Sequence, residues 1–455
     1  MTRLYSNLLK AVLLSAIITL FLLVANAVAA SFSLDTFDSG EQHIVVNPVT
    51  TTASGFVDGT GADVLGTERD VNMTWSSGAG EASIGIDRFN SNVLAFSQDG
   101  GVSASAEIQW DGDDDDATTL DPLGLGNADL TGGATNDGFL FNIIFDDIGV
   151  DFTLDVYTSG ADYSTYTVNL PGGAAGSPDS VAIFVLFTEF TVAGGSGADF
   201  TDVGALTLNI LGVSAPGGDL TLELSEATSS REYGDLPLTG FAAGGHPGFP
   251  AAIANAAHVP MGLRLGQYTD AETAANSSTM ANGDDTDASQ NDHDGVSLSA
   301  DLWTLGATVD LMVDVEGCSG TCYVNGWIDW NADGDFDDTV GGQSENIFSN
   351  SSISNGTDQT RSITVPSSGY AVGDPVYSRF RICDASGDCD AVDTTDNDVL
   401  NGELEDYYWQ FGPTAISLTD LSAHPKPAAN MSTFAVIGIA ALVAAFSVKR
   451  KRLRA

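Results

Sequence analysis

The sequence predicts an all-β protein: an N-terminal β-sandwich of jelly-roll type, a second β-rich domain built around acidic loops, and one C-terminal transmembrane helix. Three observations carry this. Short period-two runs recur between residues 31 and 412, Gly and Asp clusters separate them, and no long stretch there has helical period. The chain of 455 residues is long enough for two or three domains, and its 43% apolar content excludes wholesale disorder.

Residues 1–30 read as a signal peptide. Arg3 and Lys10 precede an apolar run from Ala11 to Val24, and Ala27-Val28-Ala29-Ala30 supplies small residues for cleavage. An uncleaved anchor is the competing reading.

Residues 31–225 are expected to form the sandwich. Phe152 to Tyr157, Tyr166 to Leu170, Leu206 to Leu211 and Leu220 to Leu224 alternate as half-buried strands do. Asp58-Gly59, Asp99-Gly100-Gly101 and Pro171-Gly172-Gly173 mark turns. Trp75, Trp110, Tyr157, Tyr163 and Tyr166 are candidates for stacking on sugar rings, or else for core and strand-surface packing.

Residues 226–412 form the second domain. It opens with a Gly-, Pro- and Ala-rich stretch to Ala257, either a linker or a long loop wrapping the strands of that domain. Strands are expected at Ala307 to Val315, Cys322 to Asp329, Thr360 to Val365 and Val376 to Cys383. Residues 413–430, with Pro425 and Pro427, are a spacer. Residues 431–448 carry no charge and span about 27 Å as a helix, enough for a hydrocarbon core. They are followed by a basic tail, 449–455, that would stay cytoplasmic. This places the protein on the extracellular face of the envelope, held by a single-pass segment that is either retained or processed.

The domain centres on Trp327-Ile328-Asp329-Trp330-Asn331-Ala332-Asp333-Gly334-Asp335-Phe336-Asp337-Asp338. Asp329, Asn331, Asp333, Asp335 and Asp337 occupy every second position, with Gly334 at the sixth for the sharp turn. Oxygen donors spaced in this way suit calcium, which takes six to eight of them. Val340 stands where an EF-hand has its bidentate Glu, so the loop needs ligands from elsewhere. Asp284, Asp285, Asp292 and Asp294 lie in a second acidic loop. Glu403 and Glu405 share one face of a strand, where they ligate calcium or pair with Arg379 and Arg381. Asn substitutions in the Asp113–Asp116 run are expected to leave the calcium response of the Asp329–Asp337 loop unchanged. A solvated acidic hairpin, or acidity serving salt adaptation, is the alternative throughout.

Net charge is −47, from 62 acidic against 15 basic residues. Such a surface repels phosphate backbones and excludes nucleic-acid binding. Cys318, Cys322, Cys383 and Cys389 allow three pairings, and their spacing favours 318 with 322 and 383 with 389, each closing a Gly-containing turn. Zinc is the alternative, without a His at ligand spacing. No His-Glu-x-x-His, Gly-x-Ser-x-Gly or phosphate-binding Gly-rich loop occurs, and no carboxylate pair stands out among 62, so no enzyme is expected.

Two resemblances rest on ordered motifs. Phe32-Ser33-Leu34-Asp35-Thr36-Phe37, Leu65-Gly66-Thr67-Glu68-Arg69-Asp70, Thr135-Asn136-Asp137-Gly138-Phe139 and Gly197 to Ala205 resemble a domain recurrent in bacterial surface proteins. Tyr233-Gly234-Asp235, Leu265-Gly266, Gly283-Asp284-Asp285, Asp294-Gly295-Val296, Asp329-Trp330-Asn331 and Gly402-Glu403-Leu404-Glu405-Asp406-Tyr407 resemble, in that order, the GEVED domain of secreted bacterial proteins. Leu404 replaces Val, Leu236 replaces Ala, and His293 interrupts an acidic run. The resemblance implies an extracellular, calcium-dependent module without catalysis. The expected function is structural or adhesive, with envelope or matrix components as partners. A polysaccharide-binding surface protein and an envelope hydrolase are the alternatives.

Overall fold

The computed structural model describes residues 32–89, 91–147, 149–170, 174–175, 181–212, 217–240, 245–283, 293–299, 303–369, 376–393 and 399–409. The expected signal peptide, spacer, membrane helix and basic tail lie outside them, as do Asp284, Asp285 and Asp292.

The regular secondary structure of the described residues is almost wholly β. An eight-stranded and a seven-stranded antiparallel sheet enclose one apolar cluster that includes Val71, Ile84, Phe96, Ile108, Phe141, Leu154, Leu208 and Leu222. Alternation places these residues inward and leaves Thr and Asp outward. Each fully buried aliphatic side chain contributes about 1.5–3 kcal/mol. Strand Phe152–Tyr157 has its expected bounds, and Ala205–Leu211 pairs with it and with Ser103–Trp110. The expected strand at Tyr166 to Leu170 instead runs Tyr163–Val168, because its pairing with Phe152–Tyr157 begins opposite Tyr157.

Arg69 locks the first strand to this sandwich. It pairs with buried Asp35 at 3.0 Å, donates to Gln42 Oε1 at 2.7 Å, and bonds the Ser39 and Gly40 carbonyls. Trp110 donates its indole N–H to the same Asp35. Trp110 is therefore core, with 0% exposure, and is not available to a sugar. Tyr157 and Tyr163 stack on each other at 5.0 Å on the seven-stranded sheet.

The second region is a smaller sandwich. Asn346–Ile353, Cys322–Ile328, Val376–Cys383 and Gly402–Trp409 form one sheet in that order. Arg264–Leu265, Thr308–Glu316, Val296–Leu298 and Gly356–Thr364 form the other. Val313, Val324, Ile328, Phe380 and Ile382 fill the space between them. Cys318–Cys322 and Cys383–Cys389 are both bonded, as the spacing suggested, and zinc has no thiolate left to take.

The stretch after Ser225 does not behave as a free linker. Strand Asp219–Thr228 runs past that point, Arg231 pairs with Asp137 at 2.7 Å and lies over the Phe184 ring, and Val181 bridges Thr269. Leu140, Ala182, Phe184 and Val259 bury one another at this junction. The described residues from Phe32 to Trp409 belong to one compact unit.

Candidate metal centre

Strand Cys322–Ile328 delivers Asp329 into the acidic loop at the sheet's end. Asp329 is fully buried, and its carboxylate is already engaged. It accepts the Asp333 and Gly334 N–H groups and the His246 ring at 2.7 Å. His246 Nδ1 accepts the Gly248 N–H, so the neutral ring carries its proton on Nε2 and donates it to Asp329. Asp329 thus shapes the loop. Gly334 is required here twice over, because φ is +93° and a Cβ would lie 2.3 Å from the Gly248 carbonyl oxygen.

The loop brings together Asp333, Asp335 and Asp338, one oxygen of each lying within 4.8 Å of the others. The Asn331 amide bridges Asp333 at 2.9 Å and Asp338 at 2.7 Å. Asp337 is exposed and outside this group, although its carboxyl is raised by a hydrogen bond to Asp335 and by that residue's charge. Two residues of this site were not legible in the sequence. Asp338 breaks the alternation, and Glu345 sits beyond the two-stranded hairpin Thr339–Val340 and Gln343–Ser344. Glu345 is fully buried beneath the loop and accepts the Trp330 and Asp338 N–H groups at 3.0 and 3.1 Å. Burial, then the Asp329 charge, push it up to about 8. Burial and the charges of Asp335 and Asp329 raise Asp333 too. Three carboxylates thus converge over a fourth, and a hard cation among them would relieve their mutual repulsion.

Glu403, Glu405 and Asp294 do something different. Glu403 accepts the Leu265 N–H; Glu405 accepts the Gly295 N–H at 2.8 Å and the Tyr407 hydroxyl at 2.9 Å. Asp294 accepts the Gln267 N–H at 2.9 Å. On the other face of the same strand, Asp406 accepts the Asp235 and Leu236 N–H groups and a two-pronged Arg379. Leu404 N–H donates to Glu232 at 2.7 Å. The strand Gly402–Trp409 therefore staples segments 110 to 172 residues away in sequence.

The expected ladder of Arg379 and Arg381 with Glu403 and Glu405 does not form. In the antiparallel register Arg379 lies opposite Asp406 and Arg381 opposite Leu404, while Glu403 and Glu405 lie opposite Ile382 and Phe380. Opposed residues share a face, so Arg379 meets Asp406 instead. Arg381 donates to His258 Nε2 at 2.9 Å. Burial, then the Arg379 charge, lower Arg381 to about 9, and burial beside both arginines holds His258 well below its ordinary range.

Residues 323–410 match the GEVED domain family, and the chain carries that domain there. The ordered motifs begin earlier, at Tyr233, and the bonds of Glu232 to Leu236, Leu265 and Gly295 to the last strand tie that earlier part to it. No curated protein matches the chain. Among solved structures it is similar to a family 11 carbohydrate-binding module of a cellulosomal cellulase of Clostridium thermocellum, at 11% identity over 44% of this chain and 95% of that one, TM-score 0.23. It is also similar to a carbohydrate-binding module in complex with β-1,4-galactotriose, at 8% identity over 44% and 95%, TM-score 0.19. A β-1,2-glucanase from Parabacteroides distasonis matches at 6% identity over 85% of this chain and 39% of that one, TM-score 0.21. None of these likenesses extends to function.

Proposed function

We propose that the protein is a calcium-stabilised structural or adhesive component of the outer envelope, exported, held by its C-terminal apolar segment, and without catalytic turnover. The observation that carries this reading is the convergence of Asp333, Asp335 and Asp338 above buried Glu345. Such a site ties loop order to an ion that is abundant outside the cell, at affinities of about 10⁻⁴ to 10⁻³ M for extracellular modules. Two disulfides agree with an oxidising compartment. Among the described residues no helix is long and apolar enough to cross a membrane, and the apolar segment 431–448 lies outside them.

Calcium should raise the melting temperature of the protein, and chelation should lower it. Asp333→Asn with Asp335→Asn should remove that part of the response which this loop supplies. Sodium chloride at matched ionic strength acting as well as calcium would overturn the assignment. Deleting residues 431–455 should release the protein into the medium; retention on the cells would refute the anchor.

A second reading rests on the cleft of about 610 Å³ where Tyr166, Asn169 and Glu189 face Asp384 and Asn401. An aromatic face with amide and carboxylate groups suits a sugar ring. A glycan array with the protein tests it: saturable binding weakened by Tyr166→Ala would favour polysaccharide attachment over a purely structural role.

A further inference from the structure

A second set of carboxylates lies in the larger sandwich, where the sequence singled out no cation site. Glu68 and Asp70 stand two apart on strand Glu68–Ser77 and point to one face. Asp58 is the cross-strand partner of Glu68, and Gln109 that of Asp70. The loop after Trp110 folds back over this face. Its Asp114 and Asp115 N–H groups donate to Glu68 Oε1 at 3.2 and 3.1 Å, and the Asp121 N–H donates to Asp111 Oδ2 at 2.6 Å. An Asp114 oxygen thereby comes within 4.8 Å of oxygens of Glu68 and Asp70.

The oxygens left over are the informative ones. Glu68, Asp70 and Asp111 are all at 0% exposure. Glu68 Oε2, both oxygens of Asp70 and Asp111 Oδ1 are buried and meet no hydrogen-bond donor of the protein. Gln109 Oε1, opposite Asp70, is likewise buried without a donor. Arg69, between Glu68 and Asp70 in sequence, points to the other face and is committed to Asp35, Gln42 and two carbonyls. No ion pair among the described residues includes Glu68, Asp70 or Asp111. The Asp70 and Asp111 carboxyls adjoin within hydrogen-bond reach of each other if one holds a proton; buried carboxylates without donors are costly, and two that adjoin attract only with a proton or a cation between them. The donor set is all oxygen and mostly anionic, which excludes a preference for zinc and suits a hard cation with many ligands. Exposed Asp58, Asp113 and Asp115 form an outer group that shares Glu68 and leads from solvent to the buried oxygens.

We propose that Glu68, Asp70, Asp111 and Asp114 hold one calcium ion, which fastens the loop after Trp110 to the sandwich. This site is separate from the loop at Asp333 to Asp338, so either can fail without the other.

Calcium bound to the full chain, measured by equilibrium dialysis against calcium chloride, tests this. Asp70→Asn with Asp111→Asn should lose one equivalent relative to the parent, while Asp333→Asn with Asp335→Asn keeps it. In chelator the Asp70/Asp111 variant should melt higher than the parent, because buried repulsion is removed, and its calcium-induced rise should shrink. Asp114→Asn leaves the buried core intact and should weaken this equivalent by about tenfold through the lost ligand charge. Bound calcium and a calcium-induced rise unchanged in the Asp70/Asp111 variant would overturn the proposal. So would an Asp114→Asn affinity equal to the parent's if the double variant does not fold.

Discussion

Asp406 and Arg379 show how a single buried pair organises the second sandwich. Both are at 0% exposure, and the arginine meets both carboxylate oxygens while reaching the Ile253 and Val392 carbonyls. Removing one partner leaves an uncompensated buried charge, so Arg379→Met should destabilise by roughly 3–5 kcal/mol in urea unfolding. Gly234 lies against this pair: a Cβ there would sit 2.2 Å from Arg379 Nη2 and 2.6 Å from Asp406 Oδ2. Gly234→Ala should therefore cost about 1–3 kcal/mol by overpacking, although Ala is the better residue elsewhere. Glu405 gives a pH signature. Burial raises it from 4.5 to about 8, so the folded state holds a proton that the unfolded chain releases. Its contribution is fully present below about 4.5 and is lost as pH rises through about 8. Glu405→Gln can still accept from Gly295 and should flatten this loss; a variant whose stability falls as steeply as the parent's between pH 5 and 8 would contradict it.

At the level of elements, the strand Gly402–Trp409 is the fastener and the two disulfides are local braces. The bonds span only 4 and 6 residues of sequence separation, which a chain-entropy account values at about 2 kcal/mol each. Replacing Cys318 and Cys322 by Ser should lower stability by no more than about that amount. A much larger loss would mean that the bond fixes the crossover by which the chain leaves strand Thr308–Glu316 of one sheet and enters strand Cys322–Ile328 of the other. The acidic loop is an element of the same kind, shaped by Asp329 and floored by Glu345.

For the whole molecule, the junction between the sandwiches decides whether they unfold together. Phe184 packs with Leu140, Ala182 and Val259, lies under the Arg231 guanidinium, and donates its N–H to the Pro260 carbonyl. A single calorimetric transition is expected. Phe184→Ala removes a buried aromatic worth about 3–5 kcal/mol and should split it into two. Two transitions in the parent would show that the junction does not couple the sandwiches. The charge of −47 acts at this scale also, since self-repulsion destabilises the compact state until ions screen it.

The sequence by itself determined the all-β class, the strand at Phe152–Tyr157, the position of the acidic loop and the disulfide pairing. Each is encoded locally, in alternation, turn residues or a spacing of a few positions. It also determined that Glu403 and Glu405 share a face, since strand period alone settles that. Only the tertiary structure decided what that face meets. Alternation assigns a side chain to a side of a sheet, but cross-strand register chose Asp406 over Glu403 and Glu405 for Arg379, while Arg381 turned to His258. Likewise Glu345 came under the loop through a hairpin, Asp114 came to Glu68 and Asp70 through a loop that folds back, and Asp111 at the start of that loop came beside Asp70. In a chain with 62 acids, composition cannot separate a solvated carboxylate from one stripped of its donors; burial and the count of N–H groups that reach it do so, and both are properties of the fold.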